Sequence, residues 1–590
     1  MDSNTITRAL FGGAMISCTA LGAAAADFPV TDWPMASGDH ANTRYMGLAE
    51  ITPENVHALR LAFQFATGVP NGHEAAPIVG GDAMYIVTPY PNELYALDLH
   101  RRDAVVKWKF EPHPSPHAQG VACCDVVNRG VAYANGRVFM GTLDGQAIAV
   151  SADKGEELWR TPLADESQGE TVTMAPLVVK DKVLVGNSGG EMGVRGWLTA
   201  LDVENGDIVW RAWSTGPDAD VRIGQDFKPF YATDRGKDLG VSTWPPEAWK
   251  HGGGNVWGFL AYDAPNDLVF YGTANPGPWN PEQRPGDNKW TSGVFARRPD
   301  SGAAAWFYQW SPHDLHDYDG VNEMVLVDLS IGGRMRSVLL HADRNGYLYV
   351  VDRTTGEVLS ADPVVGINTS SGVDLANGRL QYNPQKEPQS GRVVFNVCPA
   401  SPGAKDWQPS AWSPRTQLLY LPLQHLCQDV QTYGTSYIAG TPFTGASVKM
   451  RKSPHIARGE LAAWDPIARR KRWSIAERFP IWSGMLATAG DLVFYGTMDG
   501  WFKAVDARTG TLLWKFHTAA GIVGQPVSYR GPDGHQYIAV LSGVGGWAGS
   551  VVSAELDPRD RTAANGFVNA MKDLPGPRPA TGMLYVFALP

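Results

Sequence analysis

The chain has 590 residues, a net charge of −10 and only 19% charged residues against 44% hydrophobic ones, which excludes a disordered chain or a soluble coiled coil. No run of basic residues accompanies the acidic balance, so nucleic acid is not an expected partner. Glycine (65), proline (42) and an unusual share of tryptophan (21, level with 20 Tyr and 20 Phe) call for a fold that needs turns and large flat side chains repeatedly.

In chain order, the N-terminus reads first as a secretory signal over residues 1–26. Arg8 is its positive end, Ala9 to Leu21 its apolar stretch, and Ala23 to Ala26 the small residues before cleavage. Periplasmic export follows, and no other window approaches the roughly 20 apolar residues of a membrane span. Removal of Cys18 leaves Cys123, Cys124, Cys398 and Cys427, an even set that in an exported chain reads as disulfides. Sequence neighbours rarely pair, so by itself each of Cys123 and Cys124 is expected to find a distant partner; if the twin closes on itself, Cys398 and Cys427 are the ordinary pair.

The mature chain repeats itself. Ala149 to Trp159, Ala200 to Trp210 and Ala504 to Trp514 share one frame, with looser copies at Ala296 to Trp306 and Ala463 to Trp473; the Trp always stands ten residues after the Ala. More degenerate copies run from Ala96 to Trp108 and from Val350 to Ser360. A β-branched and aromatic run such as Leu268 to Thr273 precedes each copy, and an Asp-x-x-Thr-Gly-like turn lies within it, so each copy predicts a hairpin. The 51 residues from Trp159 to Trp210 accommodate a four-stranded sheet, with Trp filling the space between stacked sheets. Sheets of that size arranged radially form an all-β propeller, here one domain over residues 27–590, which Met583 to Phe587 closes by joining an N-terminal sheet.

Eight segments carry a further signal: Gly72-His-Glu-Ala-Ala-Pro77, Cys123-Cys-Asp-Val-Val-Asn-Arg129, Asn187-Ser-Gly-Gly-Glu191, Gly252-Gly-Gly-Asn-Val-Trp257, Thr273-Ala-Asn-Pro-Gly-Pro-Trp-Asn280, Pro312-His-Asp-Leu-His-Asp317, Asp343-Arg-Asn-Gly346 and Gly543-Val-Gly-Gly-Trp547. Together and in this order they resemble the pyrroloquinoline quinone (PQQ)-dependent alcohol dehydrogenases, especially methanol dehydrogenases. The resemblance implies eight blades with Trp-docking repeats and a Cys123–Cys124 disulfide against one face of PQQ, with Trp257 on the other. It also implies that Glu74, Arg129, Thr173, Ser188, Gly189, Gly190, Glu191, Arg344 and Trp547 contact the cofactor. Forked guanidinium groups suit its three carboxylates, and glycine permits close backbone approach.

By the same resemblance Glu191, Asn275 and Asp317 hold a cation, an all-oxygen set suited to hard ions. Asp319, two residues beyond Asp317, adds a third carboxylate and resembles the lanthanide-dependent branch, with Ca²⁺ as the alternative ion. Asp317 is the expected proton acceptor, Arg344 the expected donor to the reduced quinone oxygen, and Trp279 a wall of a small alcohol pocket. Two positions depart from the family pattern: Asn255-Val256 stands where Thr-Asn is usual, and Gln424 where Asn is common, so Gln424 is left out of the expected site. No Cys-x-x-Cys-His occurs, which implies a separate periplasmic cytochrome c as electron acceptor, with a homodimer as a further option. The competing readings are a calcium-dependent PQQ dehydrogenase for larger alcohols and a non-catalytic propeller scaffold of the same repeat type.

Overall fold

A computed structural model describes residues 1, 32–101, 103–454, 457–545, 547 and 582–590. The expected signal peptide lies outside the described residues apart from Met1. Among the described residues, no helix is long and apolar enough to cross a membrane.

Among the described residues the strands form eight blades, each of four antiparallel strands, one of which gains a fifth, parallel strand from Tyr45–Met46. In chain order blades 1 to 7 span residues 78–110, 132–162, 177–213, 261–309, 325–363, 411–477 and 486–517. Blade 8 joins Val527–Arg530, Gln536–Ser542 and the C-terminal strand Met583–Ala588 to Arg60–Ala66 from the N-terminal side. Gln64 lies opposite Tyr585 in that ladder, so the two ends of the chain close the ring as expected.

The repeat has a direct physical reading. Each Ala is the cross-strand neighbour of its Trp: Ala149 opposite Trp159, Ala200 opposite Trp210, Ala296 opposite Trp306, Ala463 opposite Trp473 and Ala504 opposite Trp514. The Trp then reaches the next blade, where its Nε1–H donates to a backbone carbonyl. Trp108 bonds Ala152, Trp159 bonds Val203, Trp210 bonds Pro299, Trp306 bonds Arg353, Trp473 bonds Ala507 and Trp514 bonds Leu59, at 2.8–3.2 Å. The turn glycine belongs to the same contact. At Gly206, with φ +76°, a Cβ would lie 2.6 Å from the Trp159 ring, and Gly155, Gly302, Gly356 and Gly510 stand the same way under the preceding blade's Trp.

The junction of blades 5 and 6 departs from this pattern on both sides. Ser360 occupies the Trp position opposite Val350, and Arg469, at φ +56°, replaces the turn glycine. Arg469 instead holds Asp362 by a forked pair, Nε at 3.0 Å and Nη2 at 2.8 Å. A three-stranded sheet of Val393–Val397, Leu426–Thr432 and Ala446–Lys452 is added at blade 6. The Cys398–Cys427 disulfide ties it down, as does a hydrogen bond from the Ala400 N–H to the Leu426 carbonyl.

Candidate functional site

Two kinds of loop build the site, both from the same end of the strands, because an antiparallel pair brings the start of the first strand beside the end of the second. Leading into first strands come Arg129, Thr173, Trp257, Asp319 and Trp407; following second strands come Ser188 to Glu191, Asn275 and Arg344. They line one cavity together with Cys123, Cys124, Asp317, Trp279 and Trp547. Every site residue read from the sequence lines this cavity except Glu74, which stands behind Arg129.

The polar wall is a relay. Arg129 Nη1 donates to Thr173 Oγ1 at 2.9 Å, and Thr173 Oγ1 lies 2.8 Å from Ser188 Oγ. Arg129 Nε and Glu74 Oε2 are 3.1 Å apart but are not aligned for a hydrogen bond, so both keep an unused bonding direction. Burial pushes the Glu74 carboxyl up to about 7 although Arg129 opposes the shift. The guanidinium groups of Arg129 and Arg344 lie 4.6 and 5.6 Å from the Trp257 ring centre. Cys123 and Cys124 are bonded to each other, so their sulfurs, near Glu191, have no thiolate to offer a metal.

These features fit a flat polyanion. The disulfide and Trp257 supply apolar surfaces, and two buried cations supply donors whose Nε atoms have no hydrogen bond among the described residues. The glycines keep the wall thin. A Cβ at Gly189 would meet the Gly169 carbonyl at 2.3 Å, and one at Gly190 would stand 3.0 Å from Asn255 Oδ1. Asn255 itself lines the cavity, with both side-chain polar atoms unbonded among the described residues.

On the acidic side, Asp319 Oδ1 accepts from the Asn275 N–H at 2.7 Å, which fixes these two residues relative to each other. Asp317 sits at φ +64°, a strained conformation for a non-glycine residue. It is held by Asp314, whose carboxylate accepts from the N–H groups of Asp317 (2.9 Å) and Tyr318 (3.1 Å). Tyr318 Oη in turn donates to the Pro399 carbonyl at 2.6 Å. Arg344 provides the local counter-charge: Nη2 lies 3.0 Å from Asp319 Oδ2 and 2.7 Å from Asp406 Oδ1, and Nη1 lies 4.0 Å from Asp317 Oδ2.

One guanidinium does not neutralise this cluster. Burial, reinforced by Asp319, raises the Glu191 carboxyl to about 7. Burial raises Asp319 to about 6 against the pull of Arg344. Asp317 is held well above the usual carboxylate range by burial and then by Asp319. Burial works against the charge on Arg344, but Asp319, Asp406 and Asp317 outweigh it and hold its proton more tightly than usual. Asp317 Oδ1 has no hydrogen bond among the described residues. An all-oxygen set of three carboxylates and one amide fits a hard, highly charged cation.

Sequence reasoning missed Asp406 and Trp407. Asp406 clamps Arg344, and its Oδ1 also accepts from the Trp407 N–H at 2.8 Å; Trp407 packs 5.1 Å from the Arg129 guanidinium. Their one signal is position, since Trp407 precedes a first strand by four residues, as Thr173 and Trp257 do. Gln424 is buried outside the cavity lining, donating to the Pro402 carbonyl at 3.1 Å.

A family model described as PQQ, glucose/ethanol/alcohol dehydrogenase, beta-propeller domain, matches residues 33–371 and 455–538. The chain is 49% identical to the lanthanide-dependent methanol dehydrogenase of Methylacidiphilum fumariolicum (strain SolV), over 94% of this chain and 92% of that protein. It is 42% identical to subunit 1 of a methanol dehydrogenase (cytochrome c) of Paracoccus denitrificans, over 95% and 90%. A solved structure of a europium-containing methanol dehydrogenase superposes with a TM-score of 0.93 at 48% identity, covering 95% of this chain and 98% of that one.

Proposed function

The chain belongs to the PQQ-dependent alcohol dehydrogenase family, and from that premise we propose that it oxidises methanol or another small primary alcohol to the aldehyde, with PQQ and a lanthanide ion bound. Electrons pass to a separate cytochrome c. We further propose that the 27–590 propeller works in the periplasm after removal of residues 1–26. The observation that carries the metal assignment is Asp319, a third buried carboxylate beside Glu191 and Asp317 that Arg344 only partly neutralises.

When bound, PQQ supplies the two-electron acceptor and the cation supplies Lewis acidity. Glu191, Asn275, Asp317 and Asp319 would hold the cation; Arg129, Thr173, Ser188, Gly189 and Gly190 would hold the quinone edge between the disulfide and Trp257, with Trp547 and, behind Arg129, Glu74 completing the set. Asp317 takes the alcohol proton on Oδ1, the atom without a hydrogen bond among the described residues. Its strained backbone, fixed by Asp314, sets the direction in which the side chain leaves the loop. Arg344, gripped by Asp406, presents a fixed positive charge where negative charge accumulates. Trp279 lines the cavity beside Asn275 and limits the room for the alcohol.

The test is Asp317→Asn, which keeps shape and removes the base. The variant is expected to bind PQQ with wild-type stoichiometry and lose at least about a hundredfold in turnover, the scale of general-base catalysis. Wild-type methanol oxidation by that variant would overturn the assignment.

A further inference from the structure

The three-stranded sheet added at blade 6 has two unlike faces. Strand alternation turns Val394, Val430, Val448 and Met450 inward, into the apolar cluster that also contains the cavity residues Trp279 and Trp407. Gln428 faces inward too: its Oε1 accepts from the Ser401 N–H (3.0 Å) and Oγ (2.9 Å), and the Ser401 carbonyl accepts from Arg344 Nη1 at 3.3 Å. One sheet therefore separates the partner of Arg344 from the outer surface.

The outer face is apolar along one edge strand and basic along the other, with the central strand Leu426–Thr432 between them. Phe395 is 64% exposed, with Val393 on the same strand; Tyr433, just past the end of Leu426–Thr432, and Ile438, 63% exposed, are further exposed apolar side chains in the connection that follows. Lys449 and Arg451 alternate outward with the inward Val448 and Met450, Arg392 precedes Val393, and Lys386 Nζ donates to the Phe395 carbonyl at 2.9 Å. The acid within this sheet, Asp429, is covered by Arg451. These basic side chains stand on a chain of net charge −10, so long-range attraction brings an acidic protein to this face rather than to the chain at large. The segment also lies in residues 372–454, outside the stretches matched by the family's propeller model.

We propose that this outer face docks the electron acceptor, a c-type cytochrome with carboxylates around its exposed haem edge. The proposal rests on the alcohol dehydrogenase reading above. Oxidation of one primary alcohol to its aldehyde releases two electrons and two protons; two ferric haems take one electron each and become ferrous, and the protons pass to solvent. Phe395 and Val393 supply the apolar part of the contact, and the Lys and Arg side chains of the opposite edge strand, with Lys386 and Arg392, orient the cytochrome.

The experiment uses the full chain loaded with PQQ and La³⁺, with methanol as substrate. Turnover is read once with a small redox dye and once with two purified cytochromes, an acidic bacterial one and a basic mitochondrial-type one. Phe395→Asp and Lys449→Glu are expected to leave dye-coupled turnover unchanged. Each should lower the second-order rate with the acidic cytochrome about tenfold at low salt, the lower end of electrostatic steering. High salt should narrow the Lys449→Glu difference, and the wild-type preference for the acidic over the basic cytochrome should shrink in that variant. Arg334→Glu, an exposed charge reversal on blade 5, should change nothing. Cytochrome rates within twofold of wild type in both face variants would overturn the proposal. An equal loss in Arg334→Glu would do the same, as would loss of a dimer in sedimentation with unchanged cytochrome rates, which makes the face a contact between copies. Absence of dye-coupled turnover in the wild type would overturn the functional reading itself, and the docking proposal with it.

Discussion

Glu191→Gln should make the stability of the metal-free protein less sensitive to a rise in pH from acid to neutral. Burial, with Asp319 nearby, raises the Glu191 carboxyl from 4.5 to about 7. Below pH 4.5 the group is protonated in both folded and unfolded chains and contributes no pH dependence. Between 4.5 and 7 the unfolded chain ionises while the folded one retains its proton, so stability falls as pH rises and levels off above 7. At 1.36 kcal/mol per pH unit the loss is about 3 kcal/mol. Unfolding entropy of about 2.1 cal/mol/K per residue converts this, over 590 residues, to a drop of roughly 2–3 °C in midpoint. The assay is calorimetry of chelator-treated wild type and Glu191→Gln at pH 5 and pH 8. His73 and His316, held low by burial, push the other way and Glu74 the same way, but both proteins share them, so the difference between the two midpoints reports Glu191 together with its effect on Asp317. The variant should gain about 2–3 °C on the wild type from pH 5 to pH 8, and saturating La³⁺ should restore the wild type at pH 8. A difference that is constant with pH, or of opposite sign, would refute the reasoning that this carboxylate is buried without sufficient counter-charge.

Asp319→Ala removes one of three carboxylates from the cation cluster; it should weaken La³⁺ binding on the order of a hundredfold while weakening Ca²⁺ binding less, read by competition with a chromogenic chelator. At the blade junctions, Gly206→Ala presses a Cβ into Trp159 at a φ of +76° and should cost about 2–4 kcal/mol, seen as a lowered denaturation midpoint. Ser360→Trp should fail to stabilise the junction of blades 5 and 6 by itself, because Arg469 fills the place of the turn glycine; paired with Arg469→Gly it should recover stability, as a double-mutant cycle would report.

The propeller was legible because its signal is local. The ten-residue interval from Ala to Trp is a hairpin's cross-strand pair, and the turn glycine is spaced to sit under the neighbouring Trp, so sequence spacing and packing obey one geometry. The cavity-lining residues were legible through motifs whose separate segments meet only in the ring. Asp406 and Trp407 were not, because they belong to no repeated frame and act through contacts with Arg344 and Arg129, 62 and 278 positions away. The added sheet was illegible for a similar reason: its strands pair across long connections, and its inward valines carry no mark of the cavity beneath them. The vicinal disulfide also differs from what cysteine spacing alone suggests, since Cys123 and Cys124 close on each other, as the family resemblance implied, and leave Cys398 to Cys427.

The most direct test of the whole account is reconstitution of the metal-free protein with PQQ and a single cation, followed by methanol oxidation with a redox dye. La³⁺ or Ce³⁺ should restore turnover at least about tenfold above that with Ca²⁺, because three carboxylates balance a trivalent ion. Turnover with Ca²⁺ equal to or above that with either lanthanide would contradict the role given to Asp319 and the cation cluster built around it.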